Sequence, residues 1–191
     1  MNIQDLSVAI LATHGFEQSE LEKPLNALKE AGVKVDVISP EKDKIKGWSD
    51  KNWGKDVSVD IILDEATPED YDLLVLPGGV MNPDTLRMND KAIAFIKHFV
   101  TNKKPIAAIC HGPWTLINAN GVKGLTLTSY PSIKVDLINA GATWVDREVV
   151  VDKQIITSRN PDDLPAFIDK IMQLLTQTAQ KKKTEVGSDA K

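Results

Sequence analysis

Short, continuous apolar runs alternate along this chain with longer amphipathic stretches. Four such runs are 7–13 (SVAILAT), 33–39 (VKVDVIS), 73–77 (LLVLP) and 105–110 (PIAAIC). Each has the length of a strand that is buried on both faces. The stretches between them carry apolar residues at helical spacing, and parallel strands need helical crossovers of this kind. The alternation therefore predicts a single three-layer α/β domain of the doubly wound type.

Capping and turn residues indicate where the individual elements begin and end. Ser19 and Glu22 fit a capping box, which predicts a first helix from about Ser19 to a stop at Gly32. Residues 41–60 predict an excursion of loop and short strand. The remaining pattern predicts a hairpin over 144–158 and helices over 91–102, 113–121, 131–141 and 162–175. The last residues lack apolar periodicity, so we expect a domain over 1–178 and a disordered charged tail over 179–191.

Composition narrows the class of protein. The chain has 191 residues, a net charge of -4 and a pI near 5.4, which argues against a nucleic-acid partner because such a partner favours a basic surface. A single cysteine cannot form an internal disulfide, and the first residues contain neither a basic leader nor an apolar run long enough for a signal or a membrane span. We therefore expect a cytoplasmic protein with no membrane partner.

The only cysteine, Cys110, lies where an apolar run meets a histidine, a glycine and a proline. Residues 108–112 (AICHG) have the form small-x-nucleophile-x-Gly, which is typical of a sharp strand-to-helix turn that presents a nucleophile. The turn's N–H groups, the following helix and the adjacent His111 would all favour the thiolate, so we predict a lowered thiol pKa. The N–H of His111, with one from Gly78 or Gly79 after the preceding strand, would form an oxyanion hole.

Each of these residues also has a plainer interpretation. A lone cysteine after an apolar strand is often a buried small hydrophobe. Glu17 follows the first strand and so shares the carboxyl edge of the sheet with Cys110; it either keeps a proton and donates to the sulfur, or is an exposed acid at a helix start. With one cysteine and three histidines we expect no metal site, and without a glycine-rich phosphate-binding motif we expect no nucleotide cofactor.

Five sequence blocks, in this order, resemble the DJ-1/PfpI superfamily. The resemblance spans about residues 5–175, and the blocks are GFE (15–17), LVLPGG (74–79), AAICHGPW (107–114), TSYPSIKVDLINAGATWVD (128–146) and SRNPDDLPAF (158–167). The chain is most similar to the PfpI-like branch, whose members are called intracellular protease I or general stress protein.

The resemblance implies a flavodoxin-like sandwich with a mostly parallel sheet and a nucleophile-elbow cysteine, Cys110. It implies that His111 is the base and that Glu17 is the acid of the first loop. A neighbouring subunit would supply the carboxylate that orients His111, and Asp84 matches that position, although the branch often has glutamate there and the loop here is one residue longer. We therefore expect a homo-oligomer, a dimer or hexamer, with the site near a subunit interface. Tyr130 would lie near the substrate pocket.

These residues predict a stress-associated cysteine hydrolase. By resemblance, its substrates are glyoxal, methylglyoxal or their early adducts on proteins and amino acids, as for a deglycase or glyoxalase; a peptide bond is the alternative, as for an intracellular cysteine peptidase. A second class of function is a redox sensor or holdase chaperone in which Cys110 is oxidised without turnover. Glutaminase chemistry and dienelactone-hydrolase chemistry are excluded, because both need a histidine downstream of the nucleophile and none follows His111.

Overall fold

The computed structural model describes the backbone of residues 1–188 and the side chains of residues 1–184, so 189–191 of the predicted tail lie outside the described residues. The strands of this part of the chain are β1 Ser7–Leu11, β2 Phe16–Glu17, β3 Lys34–Ser39, β4 Lys44–Ser49, β5 Asn52–Ser58, β6 Ile61–Ile62, β7 Leu73–Leu76, β8 Ile106–Ile109, β9 Thr126–Leu127, β10 Thr143–Trp144, β11 Val149–Asp152 and β12 Ile155–Ser158. The α-helices are α1 Gln18–Glu30, α2 Met81–Leu86, α3 Asp90–Thr101, α4 Pro113–Asn118, α5 Lys134–Asn139 and α6 Leu164–Ser188.

The central sheet has seven strands in the order β11-β12-β8-β7-β1-β3-β6. All neighbours are parallel except β11 and β12, which form an antiparallel hairpin at one edge. The chain builds outward from β1 through β3 to β6 and then continues on the other side of β1 with β7 and β8. The switch point therefore lies between β1 and β7, and in such sheets ligands bind at the carboxyl ends of the strands around this point.

Helices cover both faces of the sheet. Alternate residues of a strand point to opposite faces, so Val8 and Ile10 of β1 pack with α1 and α6, whereas Ala9 and Leu11 pack with α3, α4 and α5. Phe167 of α6 and Phe99 of α3 are both fully buried in these two clusters. The predicted three-layer, mostly parallel sandwich is confirmed.

The first helix begins earlier than its sequence pattern predicts. The Glu17 carboxylate accepts a hydrogen bond from the backbone N–H of Glu20 at 2.8 Å, so Glu17 is the N-cap and α1 starts at Gln18. The prediction that Ser19 caps this helix is wrong; its hydroxyl instead donates to Glu17. A carboxylate satisfies a free N–H of the first turn as well as a serine does, and its charge also complements the helix dipole.

Residues 41–60 contain more strand than predicted. β4 and β5 form an antiparallel hairpin in which Trp48 lies opposite Trp53, with ring centroids 5.6 Å apart. β4 also pairs with β2, which places Trp48 next to Glu17. The hairpin thus supports the short strand that leads into α1.

The last helix continues through Ser188, well past its predicted end at residue 175, so the described part of the predicted disordered tail is helical. Ala179 is buried in the same cluster as Leu175, four residues before it. Lys182 forms an ion pair with Asp72, which precedes β7. Ala179 extends the apolar stripe of α6 by one turn, and the ion pair of Lys182 anchors the turn after it, so the helix outlasts the strongly apolar part of its sequence.

Within the described residues, no helix combines the length and the apolar character that crossing a membrane requires.

Candidate active site

Cys110 lies on a sharp turn between β8 and α4. Its φ is +62°, a left-handed conformation that costs a non-glycine residue about 1–2 kcal/mol. The Gly112 position leaves no room for a side chain, because a Cβ there would lie 2.5 Å from the carbonyl oxygen of Leu76. The predicted elbow is therefore present, and its strain is maintained by close approach of β7 and β8 to the turn.

The two glycines after β7 bring a second loop against the cysteine. A Cβ on Gly78 would lie 2.5 Å from Cβ of Cys110, so only glycine fits there. Gly79 has a φ of +76°. Asn82, which is fully buried, fixes this loop: its side-chain amide donates to the carbonyl oxygens of Pro77 and Gly78 at 2.9 and 3.1 Å, and its oxygen accepts the N–H of Thr13.

The imidazole of His111 contacts the thiol directly. Nδ1 lies 3.1 Å from Sγ of Cys110, and Nε2 lies 3.0 Å from Oγ of Ser132. Tyr130 stacks on the ring, with centroids 4.9 Å apart and planes inclined by 24°, and Trp114 meets it edge-on. Burial lowers the pKa of His111, so the ring is neutral at neutral pH and can accept a proton. The predicted placement of Tyr130 beside the site is consistent with this stacking.

The acid beside the thiol is Glu20, and the assignment of this role to Glu17 is wrong. Glu17 caps α1, as described above, whereas Glu20 is fully buried and its Oε2 accepts the N–H of Gly78 at 2.9 Å. The other oxygen of Glu20, Oε1, is buried without a hydrogen bond, and the carboxyl group faces Cys110. Burial, followed by the charge of Glu17, raises the pKa of Glu20 to about 8, so this carboxyl keeps its proton at neutral pH.

A signal for Glu20 is present in the sequence. Glu20 precedes Leu21 and stands four residues before Pro24 and eight before Leu28, all of which belong to the buried face of α1. A carboxyl on the apolar face of an amphipathic helix requires a polar partner inside the protein. The GFE block (15–17), on which the resemblance was based, ends three residues before Glu20, and the acid was therefore assigned to Glu17.

The thiol is less exposed and less acidic than predicted. Cys110 is only 6% exposed, and burial, followed by the charge of ionised Glu20, raises its pKa. The N–H groups of Gly79 and His111 act in the opposite direction but do not prevail, so the prediction of a lowered thiol pKa is wrong. At neutral pH Glu20 is protonated, which removes its repulsion of a thiolate and leaves burial as the main obstacle. A thiol in this environment needs a base, and His111 is in contact with it.

The N–H groups that face the sulfur belong to Gly79 and His111. The N–H of Gly78 donates to Glu20 instead, so Gly78 positions the acid and is not an oxyanion donor. Two N–H groups converging from different loops can stabilise negative charge on an oxygen bound next to the sulfur. An oxyanion hole formed by the N–H of His111 and the N–H of Gly79, from the loop after β7, remains a prediction.

Asp84 lies on α2 with its side chain exposed to solvent. Within the described chain the ring nitrogens of His111 contact Cys110 and Ser132, not Asp84. The role of Asp84 in a neighbouring subunit therefore stays a prediction. Ser132 was not identified from sequence, since a single serine in a turn carries no distinguishing pattern.

Comparison with known proteins identifies the family to which the chain belongs. The model of the DJ-1/PfpI family matches residues 6–174. General stress protein 18 of Bacillus subtilis is 48% identical over 170 residues, which cover 88% of this chain and 96% of that protein. Deglycase PfpI of Pyrococcus furiosus is 44% identical over 170 residues, covering 89% and 99%. The crystal structure of Drosophila melanogaster DJ-1beta has a TM-score of 0.83 at 28% identity, covering 97% of this chain and 98% of that one. The resemblance predicted from the five blocks is confirmed, and the chain belongs to the DJ-1/PfpI family.

Proposed function

We propose that this protein is a stress-associated enzyme of deglycase or glyoxalase type, which uses Cys110 to convert reactive dicarbonyls, or their early adducts on amines and thiols, to 2-hydroxy acids. One observation carries the proposal: a strained elbow holds the sulfur 3.1 Å from a neutral imidazole and against two backbone N–H groups. A structural cysteine needs none of these three features. Strain at a left-handed non-glycine residue instead indicates a functional position.

The named relatives support the same chemistry. One is called a general stress protein and another a deglycase, and each aligns with this chain over nearly its whole length.

The first step is attack on a carbonyl carbon. The thiol proton passes to Nδ1 of His111 while sulfur bonds to the aldehyde carbon of the dicarbonyl, and the carbonyl oxygen becomes negatively charged. The N–H groups of Gly79 and His111 stabilise that charge. The protonated carboxyl of Glu20 donates toward the sulfur and so stabilises charge that develops on it. With an amine adduct as substrate, sulfur bonds to the same carbon as the C–N bond breaks, and the thiol proton passes through Nδ1 of His111 to the leaving amine.

Two further steps, a rearrangement and a hydrolysis, complete the reaction, and water is the only other reactant. Moving a proton from the former aldehyde carbon to the neighbouring ketone carbon, through an enediol, converts the hemithioacetal to a thioester of the 2-hydroxy acid. One carbon is oxidised as the other is reduced, so no external oxidant or reductant is required. Water then hydrolyses the thioester, restoring the thiol of Cys110 and releasing the acid, with His111 as the base. Dicarbonyl and water are thus the only inputs, and no cofactor is part of the proposal.

We also propose that the working unit is a homo-oligomer in which Asp84 of a second copy approaches His111. The proposal is supported by the resemblance to the PfpI-like branch and by the exposure of Asp84 and Met81 on α2 and of Val80 just before it. Exposed apolar side chains beside a site are typical of a surface that another chain covers.

A turnover assay tests the proposed reaction. Methylglyoxal, a methylglyoxal-treated amino acid and casein are offered in parallel to the wild type, Cys110→Ala and His111→Ala, with His98→Ala as the matched control. His98 contacts Glu69 and not the thiol, so its loss should leave activity unchanged. We expect many equivalents of 2-hydroxy acid per chain from the wild type and from His98→Ala, and almost none from the other two.

Three outcomes would overturn the proposal. Methylglyoxal consumption that is undiminished in Cys110→Ala removes the cysteine mechanism. Hydrolysis of casein without any action on the dicarbonyl indicates a peptidase. Modification of one cysteine per chain with no further product indicates the redox sensor.

A further inference from the structure

We propose that a groove at the amino edge of the central sheet is a binding site for a small organic phosphate, a molecule that carries a phosphate group on an apolar ring or chain. The groove is separate from the candidate active site, and the proposal does not depend on the proposed function. We call it the lysine groove, after the six lysines in its lining: Lys103, Lys104, Lys123, Lys153, Lys181 and Lys182.

The lysine groove lies at the opposite end of the sheet from the nucleophile. Two adjoining cavities of about 230 and 300 Å³ form it, and Lys103, Lys104 and Gln154 line both of them. Lys104 lies two residues before β8 and Gln154 just before β12, whereas Cys110 follows the carboxyl end of β8. A four-residue strand spans about 13 Å, so a small ligand in the groove does not reach the thiol.

The first cavity, of about 230 Å³, has an apolar floor. Phe99, Ile106, Leu125 and Ile155 line it, and all four side chains are buried. Cavities for drug-sized ligands begin at about 300 Å³, so this one fits a single ring system or a short chain. The apolar part of such a ligand would displace water from this floor, which favours binding.

The walls of the lysine groove are cationic, although the chain as a whole has a net charge of -4. Among the described residues that line either cavity, Asp72 is the one carboxylate, and it is ion-paired with Lys182. Lys103, Lys123 and Lys153 are exposed and form no ion pair with any residue that the structure describes. Like charges gathered around one cavity repel each other, and a bound anion would offset that repulsion.

Lys104 lies between the two cavities. Its ammonium group lies 5.0 Å from the ring centroid of Phe99 and donates to the carbonyl oxygens of Pro68 and Glu69 at 2.9 and 3.2 Å. Within the described chain these bonds use two of its three N–H groups. Burial lowers the pKa of Lys104, while the charges of Asp72 and Glu69 act in the opposite direction. An anion that accepts the third N–H would stabilise this partly desolvated cation.

Three residues in the lining of the first cavity have left-handed backbone conformations. The φ angle is +53° at Lys103, +58° at Asn120 and +53° at Lys153. Asparagine and glycine adopt this region readily, whereas lysine is strained in it. Glycine would therefore have a lower backbone energy at Lys103 and Lys153, so the turns themselves do not explain why lysine stands there. Strained positions of this kind are typical of residues that hold a ligand.

The residue type favours phosphate as the anion. The chain has three arginines, Arg87, Arg147 and Arg159, and all of them lie outside the lining of the groove. The planar guanidinium of arginine matches a planar carboxylate through two parallel hydrogen bonds, whereas lysine ammonium groups act as separate point charges. Several point charges around one cavity suit a compact dianion whose oxygens point in different directions.

Two of the six lysines lie outside the part of the chain that matches the family model, residues 6–174. Lys181 and Lys182 belong to the extended end of α6, and the ion pair between Lys182 and Asp72 holds this end beside the second cavity. Membership of the family therefore does not imply the lysine groove.

Isothermal titration calorimetry with 1-naphthyl phosphate, at low and at moderate salt, tests the proposal. Inorganic phosphate supplies the charge without the ring, and 1-naphthoate supplies the ring with a carboxylate. The groove variant combines Lys103→Gln and Lys153→Gln. The matched control combines Lys44→Gln and Lys46→Gln, which remove two exposed lysines on β4. Cys110→Ala reports whether the probe occupies the candidate active site.

We expect the wild type, the control pair and Cys110→Ala to bind one equivalent of 1-naphthyl phosphate per chain, with a Kd that rises with salt. The groove variant should bind it about five- to twentyfold more weakly, as for the loss of two exposed ion pairs. In the wild type, inorganic phosphate and 1-naphthoate should each bind at least about fivefold more weakly than 1-naphthyl phosphate.

A second variant separates loss of binding from loss of folding. Lys103→Gly combined with Lys153→Gly removes the same two charges and also relieves the left-handed strain. Its Tm should rise by about 2–4 °C while its affinity for 1-naphthyl phosphate falls as in the glutamine pair. Unfolding cannot explain weaker binding by a more stable protein.

The proposal is overturned if the wild type does not bind 1-naphthyl phosphate, or if the groove variants bind it as tightly as the control pair. Loss of binding in Cys110→Ala would place the probe in the candidate active site, and equal affinity for inorganic phosphate would remove the role of the apolar floor; either result also overturns it. None of these measurements uses turnover, so failure of the proposed function would be a separate result.

Discussion

Replacing Glu20 by glutamine should stabilise the protein, and the gain should grow as the pH rises. Glutamine has the shape of the protonated acid: its oxygen can accept the N–H of Gly78, and its NH2 group can donate toward Cys110. It differs in that it never ionises. In the unfolded chain, by contrast, the carboxyl of Glu20 ionises near its ordinary pKa, and folding must then restore its proton.

The magnitude follows from the shift in pKa. The pKa of Glu20 rises from 4.5 to about 8 on folding. The folded state therefore binds more protons than the unfolded state in this interval, and its stability falls as the pH rises through it. Each pH unit corresponds to about 1.4 kcal/mol, so the loss relative to a non-ionising side chain reaches about 3 kcal/mol at pH 7 and about 5 kcal/mol above pH 8. Below pH 4.5 the loss is absent.

Urea unfolding at several pH values between about 4.5 and 8 measures this effect. The difference in unfolding free energy between Glu20→Gln and the wild type should widen steadily toward high pH. Glu30→Gln makes the same exchange at the exposed end of α1, and its stability should follow the pH dependence of the wild type. Cys110 keeps its proton throughout this range because burial raises its pKa, so it does not contribute to the slope.

A difference between Glu20→Gln and the wild type that stays constant from pH 5 to 8 would refute the reasoning. It would mean that the carboxyl has its ordinary pKa in the folded state and that a charged Glu20 stands beside the thiol. Two conclusions would then be wrong: that Glu20 is protonated at neutral pH, and that its carboxyl donates a hydrogen bond to the sulfur.

Two further predictions concern the geometry of the site. Gly78→Ala should cost about 1–3 kcal/mol of unfolding free energy and change the rate at which iodoacetamide alkylates Cys110, since the new Cβ would lie 2.5 Å from that of Cys110. Gly124→Ala, at a position with φ +74° and no atom within 4 Å of the added Cβ, should cost only about 1 kcal/mol of backbone strain and leave this alkylation rate unchanged. Equal effects of the two exchanges on the alkylation rate would contradict the clash. Mixing inactive His111→Ala and Asp84→Ala chains should restore part of the turnover, because some mixed sites then combine an intact His111 with an intact Asp84 from a neighbour, and the absence of any rescue would contradict a shared site.

Local patterns of apolar residues in the sequence were sufficient to predict the architecture. Strands buried on both faces have continuous apolar sequences, and helices that cover one face have apolar residues at their own spacing, so β1, β7, β8 and α3 could all be predicted near their observed bounds. The small residues around Cys110 likewise reflect a steric requirement that acts over a few positions. The extension of α6 could not be predicted in this way, because Lys182 contacts Asp72, a residue 110 positions away.

The sequence by itself determined the family, the three-layer sheet and the place of the nucleophile, because each of these depends on residue types at short, regular spacing. Only the tertiary structure decided which carboxyl meets the thiol, which way burial moves the thiol pKa, and what binds the far nitrogen of His111. Glu20 reaches Gly78 across 58 positions and Ser132 reaches His111 across 21. Such contacts, and the loss of water that shifts a pKa, exist only after the chain has brought separate loops to one edge of the sheet.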